Sequence, residues 1–133
     1  MIMDCKDLMV GDWVKVDQTT ETVKARVLGV HKDGVINYEV DYSGVRATNQ
    51  IHIDYVSPIK LTEDILVKNG YKSTQGLDFY WLDDKKHCCV KNYDGKRLFC
   101  YKQGINDVWL VVKYVHQLQH LLRLCGIEKE IEL

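Results

Sequence analysis

The chain contains little that would stiffen it or hold it in a membrane. Its 133 residues include a single proline, which excludes a proline-rich linker, and no segment approaches the roughly 20 apolar residues of a membrane span. The start, M-I-M-D-C-K-D-L, lacks the basic patch and apolar run of a secretory signal. The 46% hydrophobic and 28% charged residues are typical of a globular protein. We therefore expect a cytoplasmic protein with a substantial core.

The motifs of several common enzyme classes are also missing. The sequence has neither G-x-G-x-x-G nor G-x-x-x-x-G-K, so a nucleotide-hydrolysing enzyme is disfavoured. The adjacent Asp83 and Asp84 fall in a predicted turn, and no separated pair of carboxylates is placed in a shared cleft, as glycosidases require. We assign no catalytic residue, predict no cofactor and expect a protein that is not an enzyme.

The five cysteines do not follow a disulfide or zinc-binding pattern. Their number is odd, and adjacent Cys88 and Cys89 would point to opposite faces of a strand. Together with Cys100 and His87 they could form a zinc cluster or a reactive thiol, but zinc ribbons need closely paired cysteines and C-x-x-C is absent. We expect reduced thiols that pack as small hydrophobic side chains. A cysteine or metal enzyme is the least favoured alternative.

Short strands separated by turns dominate the first half of the chain. From Val10, V-G-D-W-V-K-V predicts a first strand with a turn at Gly11-Asp12 before it, and alternating apolar residues predict strands over 22–31, 35–42 and 51–55. Asp33-Gly34 predicts a tight hairpin, and Ser43-Gly44 predicts the next turn. Four or five short strands in about 50 residues favour an SH3-like barrel, which we assign to residues 1–60.

A short helix is predicted to follow this barrel. Thr62 can cap the first N–H groups of the helix, Glu63 and Asp64 suit its positive end, and Gly70 can end it in the left-handed conformation. The segment therefore connects two different parts of the chain.

The second half is predicted to be an antiparallel sheet backed by a helix. Strands are expected over 77–82, 87–93, 96–102 and 108–112, with Asp94-Gly95 as a hairpin turn. Helical spacing of apolar residues begins at Val115 and Gly126 can end that helix, after which the tail is expected to fray. The fold class is α+β and β-rich, with residues 61–133 as the second part; whether the two parts share one core is left open.

Charge is distributed unevenly along the chain. Residues 1–84 hold 9 Lys/Arg against 14 Asp/Glu, whereas residues 85–123 hold 8 against 2. The predicted hairpin in this basic region interleaves cations with aromatic residues, as does a surface that neutralises phosphates and stacks bases. Candidate residues for binding a nucleic acid or nucleotide are therefore Lys91, Tyr93, Lys96, Arg97, Tyr101 and Lys102. The alternative is that strand alternation alone produces a core face and a solvated face.

A second candidate set lies near the start of the last helix. His116 and His120 are four residues apart and share a helix face, but Gln117-Leu118-Gln119 between them lacks the glutamate of the H-E-x-x-H zinc motif. A polar face at a protein contact is the favoured interpretation, and no metal site is predicted. With Trp109 and Tyr114, these two histidines are the candidate protein-contact residues.

Three segments of the chain resemble a family of small uncharacterised proteins of Bacteroides-type bacteria and their prophages and mobile elements. The segments are L-x-x-G-D-W-V at 8–14, V-S-P-I-K-L-T-E-D-I-L-V-K-N-G-Y at 56–71 and V-K-Y-V-H-Q-L-Q-H-L-L at 112–122. The family carries no assigned activity, so no catalytic residue is implied. Within the resemblance, His116 is the polar position that could have a functional role or could support the sheet.

Together these features favour a non-enzymatic accessory protein of a phage or mobile element. We expect it to act through contact with a protein partner or by self-assembly, using an exposed hydrophobic helix or an edge strand. The alternative function is binding of a nucleic acid, or sequestration of a small nucleotide signal as a counter-defence, through the basic hairpin. No membrane partner is expected.

Overall fold

The computed structural model describes residues 3–71, 79–82, 88–103, 106–127 and 130–133. These residues form mainly antiparallel sheets with two α-helices, which confirms the predicted α+β, β-rich class. Neither described helix has the length and apolar character needed to cross a bilayer. The elements are β1 (Trp13–Asp17), β2 (Thr22–Val30), β3 (Val35–Tyr42), β4 (Val45–His52), β5 (Val56–Pro58), α1 (Glu63–Lys68), β6 (Phe79–Trp81), β7 (Cys88–Tyr93), β8 (Lys96–Gln103), β9 (Asn106–Val111) and α2 (Val115–Leu124), with short 3₁₀ turns at Cys5–Asp7 and Ile53–Tyr55.

The chain divides into two compact units, with the boundary between Ile59 and Lys60. Unit 1 is a five-stranded antiparallel sheet in the order β4-β3-β2-β1-β5. The alternation expected for these strands buries Val14 and Val16 of β1 against the core, while Lys15 between them is exposed. Gly34 has a φ of 88°, which explains why the predicted Asp33-Gly34 turn needs glycine at this position.

The sheet of unit 1 does not close into a full barrel. Strand β1 pairs with both β2 and β5, but β4 pairs only with β3 and no pairing joins β4 to β5 within residues 3–59. Nearly all of β4 is exposed, since its burial pattern shows one half-buried residue, Ile51, among exposed ones. The predicted meander of short antiparallel strands is confirmed. The strand predicted over 51–55 is wrong, because β4 ends at His52 and Ile53–Tyr55 forms a 3₁₀ turn before β5.

The turn before β1 is built on a buried carboxylate. Asp12 is fully buried, and its Oδ2 accepts a hydrogen bond from the backbone N of Met9 at 2.8 Å. Its backbone O accepts from Val27 N at 2.9 Å, and Gly11 N donates to Val27 O at 2.7 Å. Strand β1 consequently begins at Trp13, directly after the predicted Gly11-Asp12 turn. The G-D-W-V motif has a structural role here.

The predicted connector helix is present as α1 in unit 2. Thr62 Oγ1 accepts a hydrogen bond from Ile65 N at 3.3 Å, as expected for an N-cap. Gly70 has a φ of 84°, and Tyr71 N donates to Leu66 O at 3.1 Å, so the helix ends with a left-handed glycine. Leu66 is the residue that α1 buries most deeply.

The sheet of unit 2 has the strand order β6-β7-β8-β9, with every neighbouring pair antiparallel. The register divides its side chains between two faces. We call one the Tyr80 face: Tyr80, Val90, Asn92, Arg97, Phe99 and Leu110. We call the other the Trp109 face: Trp81, Lys91, Tyr93, Leu98, Trp109 and Val111. The start of α1 lies over the first face, because the Tyr80 hydroxyl donates to Glu63 Oε1 at 2.6 Å.

The prediction of a frayed C-terminal tail is wrong for the described residues of that tail. The side chain of Ile131 is 1% exposed. The Asn69 side chain holds the neighbouring backbone from both sides: its Nδ2 donates to Glu132 O and its Oδ1 accepts from Glu132 N, both at 2.7 Å. The same Nδ2 donates to Ile65 O at 2.8 Å, which links the tail to α1.

Tyr71, next to the end of α1, should make stability depend on alkaline pH. Burial raises the pKa of its phenol from 10.0 to about 12. Folding therefore favours the protonated phenol, so its contribution is complete below pH 10 and is lost as the pH rises toward 12. We expect wild type to lose roughly 2 kcal/mol more of its free energy of unfolding than Tyr71→Phe between pH 9.5 and 11.5. Urea unfolding at a series of pH values measures this difference.

The exposed Tyr55 provides the matched control for Tyr71. Tyr55→Phe removes the same hydroxyl from a solvent-facing ring, so its stability should follow the wild-type pH curve. If Tyr71→Phe follows the wild-type curve as well, burial of the Tyr71 phenol does not govern alkaline stability.

Candidate functional site

The six basic and aromatic candidates of the β7–β8 hairpin do not lie on one surface. Pairing of Tyr93 with Lys96 and of Lys91 with Leu98 puts Lys91, Tyr93 and Lys96 at register positions of the Trp109 face. Arg97 and Tyr101 occupy positions of the Tyr80 face. The side chain of Lys102 lies outside the described part of the structure. The hairpin itself forms as predicted, with Asp94 at φ 50° and Gly95 at φ 73° in its turn.

On the Trp109 face, a lysine and two aromatic rings form one cluster. The Lys91 ammonium lies 5.2 Å from the centroid of the Tyr93 ring and 5.5 Å from that of Trp109. Together with Leu98 these side chains line a shallow pocket of about 180 Å³. Cation–π contacts hold Lys91 over the rings, so the cluster presents an apolar surface with one positive charge. Such aromatic surfaces are typical of protein contacts.

Strand β9 adds exposed apolar residues at the edge of the sheet. Trp109, Leu110 and Val111 are 38%, 46% and 61% exposed, respectively. Since successive residues of a strand point to opposite faces, this apolar surface continues around the edge from one face to the other. Among the described residues, β9 pairs within the sheet only with β8. No described strand pairs with its other side, and the unpaired side of an edge strand can accept a further strand.

The remaining protein-contact candidates lie at the start of α2. The rings of Tyr114 and His116 are stacked with 6.0 Å between centroids, and His120 meets His116 edge-on at 5.7 Å. His116 is only 3% exposed, whereas Tyr114 and His120 are half-buried. Gln117 Oε1 accepts hydrogen bonds from the backbone N atoms of Lys113 and Tyr114, which fixes this helix start. The structure brings these three rings together and places Trp109 separately, on β9.

Three of the five cysteine thiols are buried, and none of the five forms a disulfide. The described residues contain no group of three or more His, Cys, Asp or Glu side chains arranged to hold a metal ion. Cys88, Cys89 and Cys100 are buried, and His87 lies outside the described residues. Burial, followed by the carboxylates of Asp4 and Asp33, raises the pKa of Cys5. The reactive thiolate is therefore disfavoured at Cys5.

A basic pocket of about 350 Å³ lies beside the β7–β8 turn. Lys60, Lys96, Arg97 and Lys113 line it, and no carboxylate from the described part of the chain does. Lys96 and Arg97 are among the candidates predicted from the sequence, whereas Lys60 and Lys113 are not. No local pattern in the sequence links these two lysines. Their segments are joined by a β-bridge between Lys60 and Tyr114 and by a hydrogen bond from Leu61 N to Lys113 O.

Unit 1 contains a groove that is not predicted from the sequence. It has a volume of about 950 Å³ and lies between the β1–β2 connection, the inner side of the β3–β4 hairpin and Tyr55. Several of its polar groups already bind one another: Gln18 Nε2 donates to the Tyr38 hydroxyl at 3.0 Å, and the Tyr42 hydroxyl donates to Gln18 Oε1 at 3.2 Å. These internal pairs leave fewer groups to orient a ligand.

Comparison of the chain with protein-family models, with curated protein sequences and with solved structures gives no match.

Proposed function

We propose that this chain is a non-enzymatic binding protein that acts through protein contact, and that the contact is self-association through strand β9. The observation that carries the proposal is the run of three exposed apolar residues, Trp109, Leu110 and Val111, on an edge strand. An exposed apolar edge strand pairs readily with another strand. The resemblance described above would make it an accessory protein of a phage or mobile element.

A second copy of the chain fits the β9 edge for geometric reasons. Two copies of β9 related by a two-fold axis can pair antiparallel, so that two four-stranded sheets join into one. The pairing would satisfy backbone groups on the open side of β9 and cover Val111 on one face and Leu110 on the other. The aromatic pocket of Lys91, Tyr93, Leu98 and Trp109 lies beside the same edge and can receive an apolar side chain from the second copy.

The proposed setting is the cytoplasm. All five cysteines are thiols without a disulfide, which agrees with a reducing compartment. Buried Cys88, Cys89 and Cys100 would pack as small hydrophobic side chains there.

Size-exclusion chromatography with inline light scattering tests the proposal. We expect the wild type to give twice the 15.5 kDa mass of one chain at high concentration. Val111→Lys and Leu110→Lys should each give the monomer mass, because a charge at the paired edge opposes strand pairing from either face. Both residues are exposed, so neither substitution should destabilise the folded monomer. The thermal midpoint of each monomeric variant should therefore be close to that of the wild type diluted until it is monomeric.

Unit 1 provides a matched control for this experiment. Val45→Lys places the same charge at a valine that is 68% exposed on β4, the edge strand of the other sheet. This variant should associate as the wild type does. A wild type that stays monomeric at about 0.1 mM, well above the micromolar range of ordinary self-association, contradicts the proposal.

A further inference from the structure

The basic pocket of unit 2 is built around a fixed arginine. Arg97 Nε donates to Leu61 O at 3.0 Å, and its Nη1 donates to Asn92 Oδ1. Arginine has five N–H donors, so three of them have no partner among the described residues. The backbone O of Arg97 also accepts from Val112 N at 2.9 Å. The guanidinium is thus held in position before any ligand arrives.

The same hydrogen bonds set the positions of the surrounding lysines. Lys113 O accepts from Leu61 N at 3.0 Å, and Lys60 forms a β-bridge with Tyr114. Arg97 binds the carbonyl of Leu61. Lys60 precedes Leu61 in the chain and Lys113 is hydrogen-bonded to it, so both lysines are held next to the residue that positions Arg97. Lys96 begins β8 at the rim of the pocket, directly after the turn. The lysines are exposed, and Arg97 is half-buried.

Four cationic residues line this pocket, and no carboxylate of the described residues lines it with them. Among the described residues, none of the four forms an ion pair. The nearest acids along the chain are Asp94 in the exposed turn and Glu63, whose Oε1 accepts from the Tyr80 hydroxyl. Like charges at close range repel, and a bound anion relieves that repulsion. A positive cleft with low-dielectric walls also concentrates anions. The arrangement favours a ligand with more than one negative charge.

The size and lining of the pocket narrow the class of ligand. About 350 Å³ lies at the lower end of the usual range for small-molecule sites, so the ligand must be compact. No aromatic side chain of the described residues lines the pocket, so this lining offers no ring on which a base could stack. A planar guanidinium presents paired N–H donors that suit phosphate oxygens, and lysines add point charges around it.

We propose that this pocket binds a compact polyphosphate group, two linked phosphates such as inorganic pyrophosphate or the diphosphate end of a nucleotide. Arg97 donates to the phosphate oxygens, and Lys60 and Lys113 neutralise their charge, while Lys96, which the register places on the Trp109 face, lies at the rim. Recognition is of the phosphates, and any attached nucleoside extends out of the pocket into solvent.

Isothermal titration calorimetry of the full chain with inorganic pyrophosphate tests this site. We expect binding with one site per chain that weakens when sodium chloride is raised from about 50 to about 200 mM. Lys60→Glu and Lys113→Glu should each weaken binding at least about tenfold, because each replaces an attractive charge by a repulsive one. Both side chains are exposed, so both variants should fold as the wild type does.

Lys68→Glu is the matched control for these variants. Lys68 is exposed in the last turn of α1, in the same unit, and does not line the pocket. Lys68→Glu changes the net charge by the same amount as Lys60→Glu. If it weakens pyrophosphate binding as much, the anion is attracted by the overall charge of the protein, and the proposed site is wrong. Arg97→Lys keeps the charge but loses the planar donor pair, and it should also weaken binding.

Titrations with adenosine diphosphate, adenosine and an oligothymidylate show whether the ligand is a compact diphosphate or the phosphate backbone of a nucleic acid. Adenosine diphosphate should bind about as well as pyrophosphate, and adenosine should not bind. If pyrophosphate fails to bind while the oligothymidylate binds with an affinity that grows with its length, the ligand is a nucleic acid backbone and the compact site is wrong. Absence of binding by every probe overturns the proposal as well.

Discussion

Removal of residues 131–133 is expected to lower the free energy of unfolding by about 3–5 kcal/mol, a large part of the stability of a chain this size. The deletion exposes the cavity that Ile131 fills, and Ile131 is almost completely buried. It also leaves Asn69 without its two hydrogen bonds to the backbone of Glu132. Urea unfolding followed by circular dichroism measures the difference.

Single substitutions divide this loss between packing and hydrogen bonding. Ile131→Ala should cost about 2–4 kcal/mol through the cavity, and Asn69→Ala about 1–3 kcal/mol through unpaired backbone groups. Glu132→Ala is the control, because it keeps the backbone bonded to Asn69 and removes only an exposed side chain. A truncated chain that is less than about 1 kcal/mol weaker than wild type would contradict the anchored tail.

The tail shows why this part of the fold could not be predicted from the sequence. The segment I-E-K-E-I-E-L alternates charges with apolar residues, which is typical of a solvated end. Its anchor is Asn69, which lies 63 positions earlier in the chain. Local pattern gives no indication of a contact at that separation, and an end of a chain without such an anchor usually frays.

The elements that were predicted correctly depend on neighbouring residues. Asp33-Gly34 and Asp94-Gly95 identify hairpins because glycine accepts positive φ without strain, and the structure has glycine at φ 88° and 73° in these turns. Thr62 and Gly70 mark the ends of α1 for similar local reasons. Closure of the barrel is different, because it depends on whether β4 meets β5, and no local pattern specifies that pairing.

The candidate site falls between these two cases. The division of the hairpin cations between two faces follows from the turn, since Asp94-Gly95 fixes Tyr93 opposite Lys96 and alternation then separates Lys91 from Arg97. That division was available from the sequence. The contribution of Lys60 and Lys113 to the basic pocket was not, because it depends on the meeting of segments about fifty residues apart, through the bridge of Lys60 with Tyr114.

His116→Ala is expected to lower the free energy of unfolding by about 2–3 kcal/mol, because it removes a buried ring that stacks on Tyr114. His120→Ala removes a half-buried ring from the same helix face and should cost less than about 1 kcal/mol. Thermal and urea unfolding of the two variants, with the wild type, give both values. The comparison distinguishes a support for α2 from a binding residue.

Two further measurements test the role of His116: the oligomeric mass of the variant, and the thermal midpoint of the wild type with added zinc. If the residue acts by packing, His116→Ala should keep the oligomeric mass of the wild type wherever it remains folded, since the proposed contact lies on β9. Zinc should leave the midpoint of the wild type unchanged, because two histidines alone make an incomplete ligand set. A stable His116→Ala variant that loses association would instead make His116 a contact residue. A zinc-dependent rise in midpoint that needs both histidines would make the pair a metal site, with its other ligands outside the described residues.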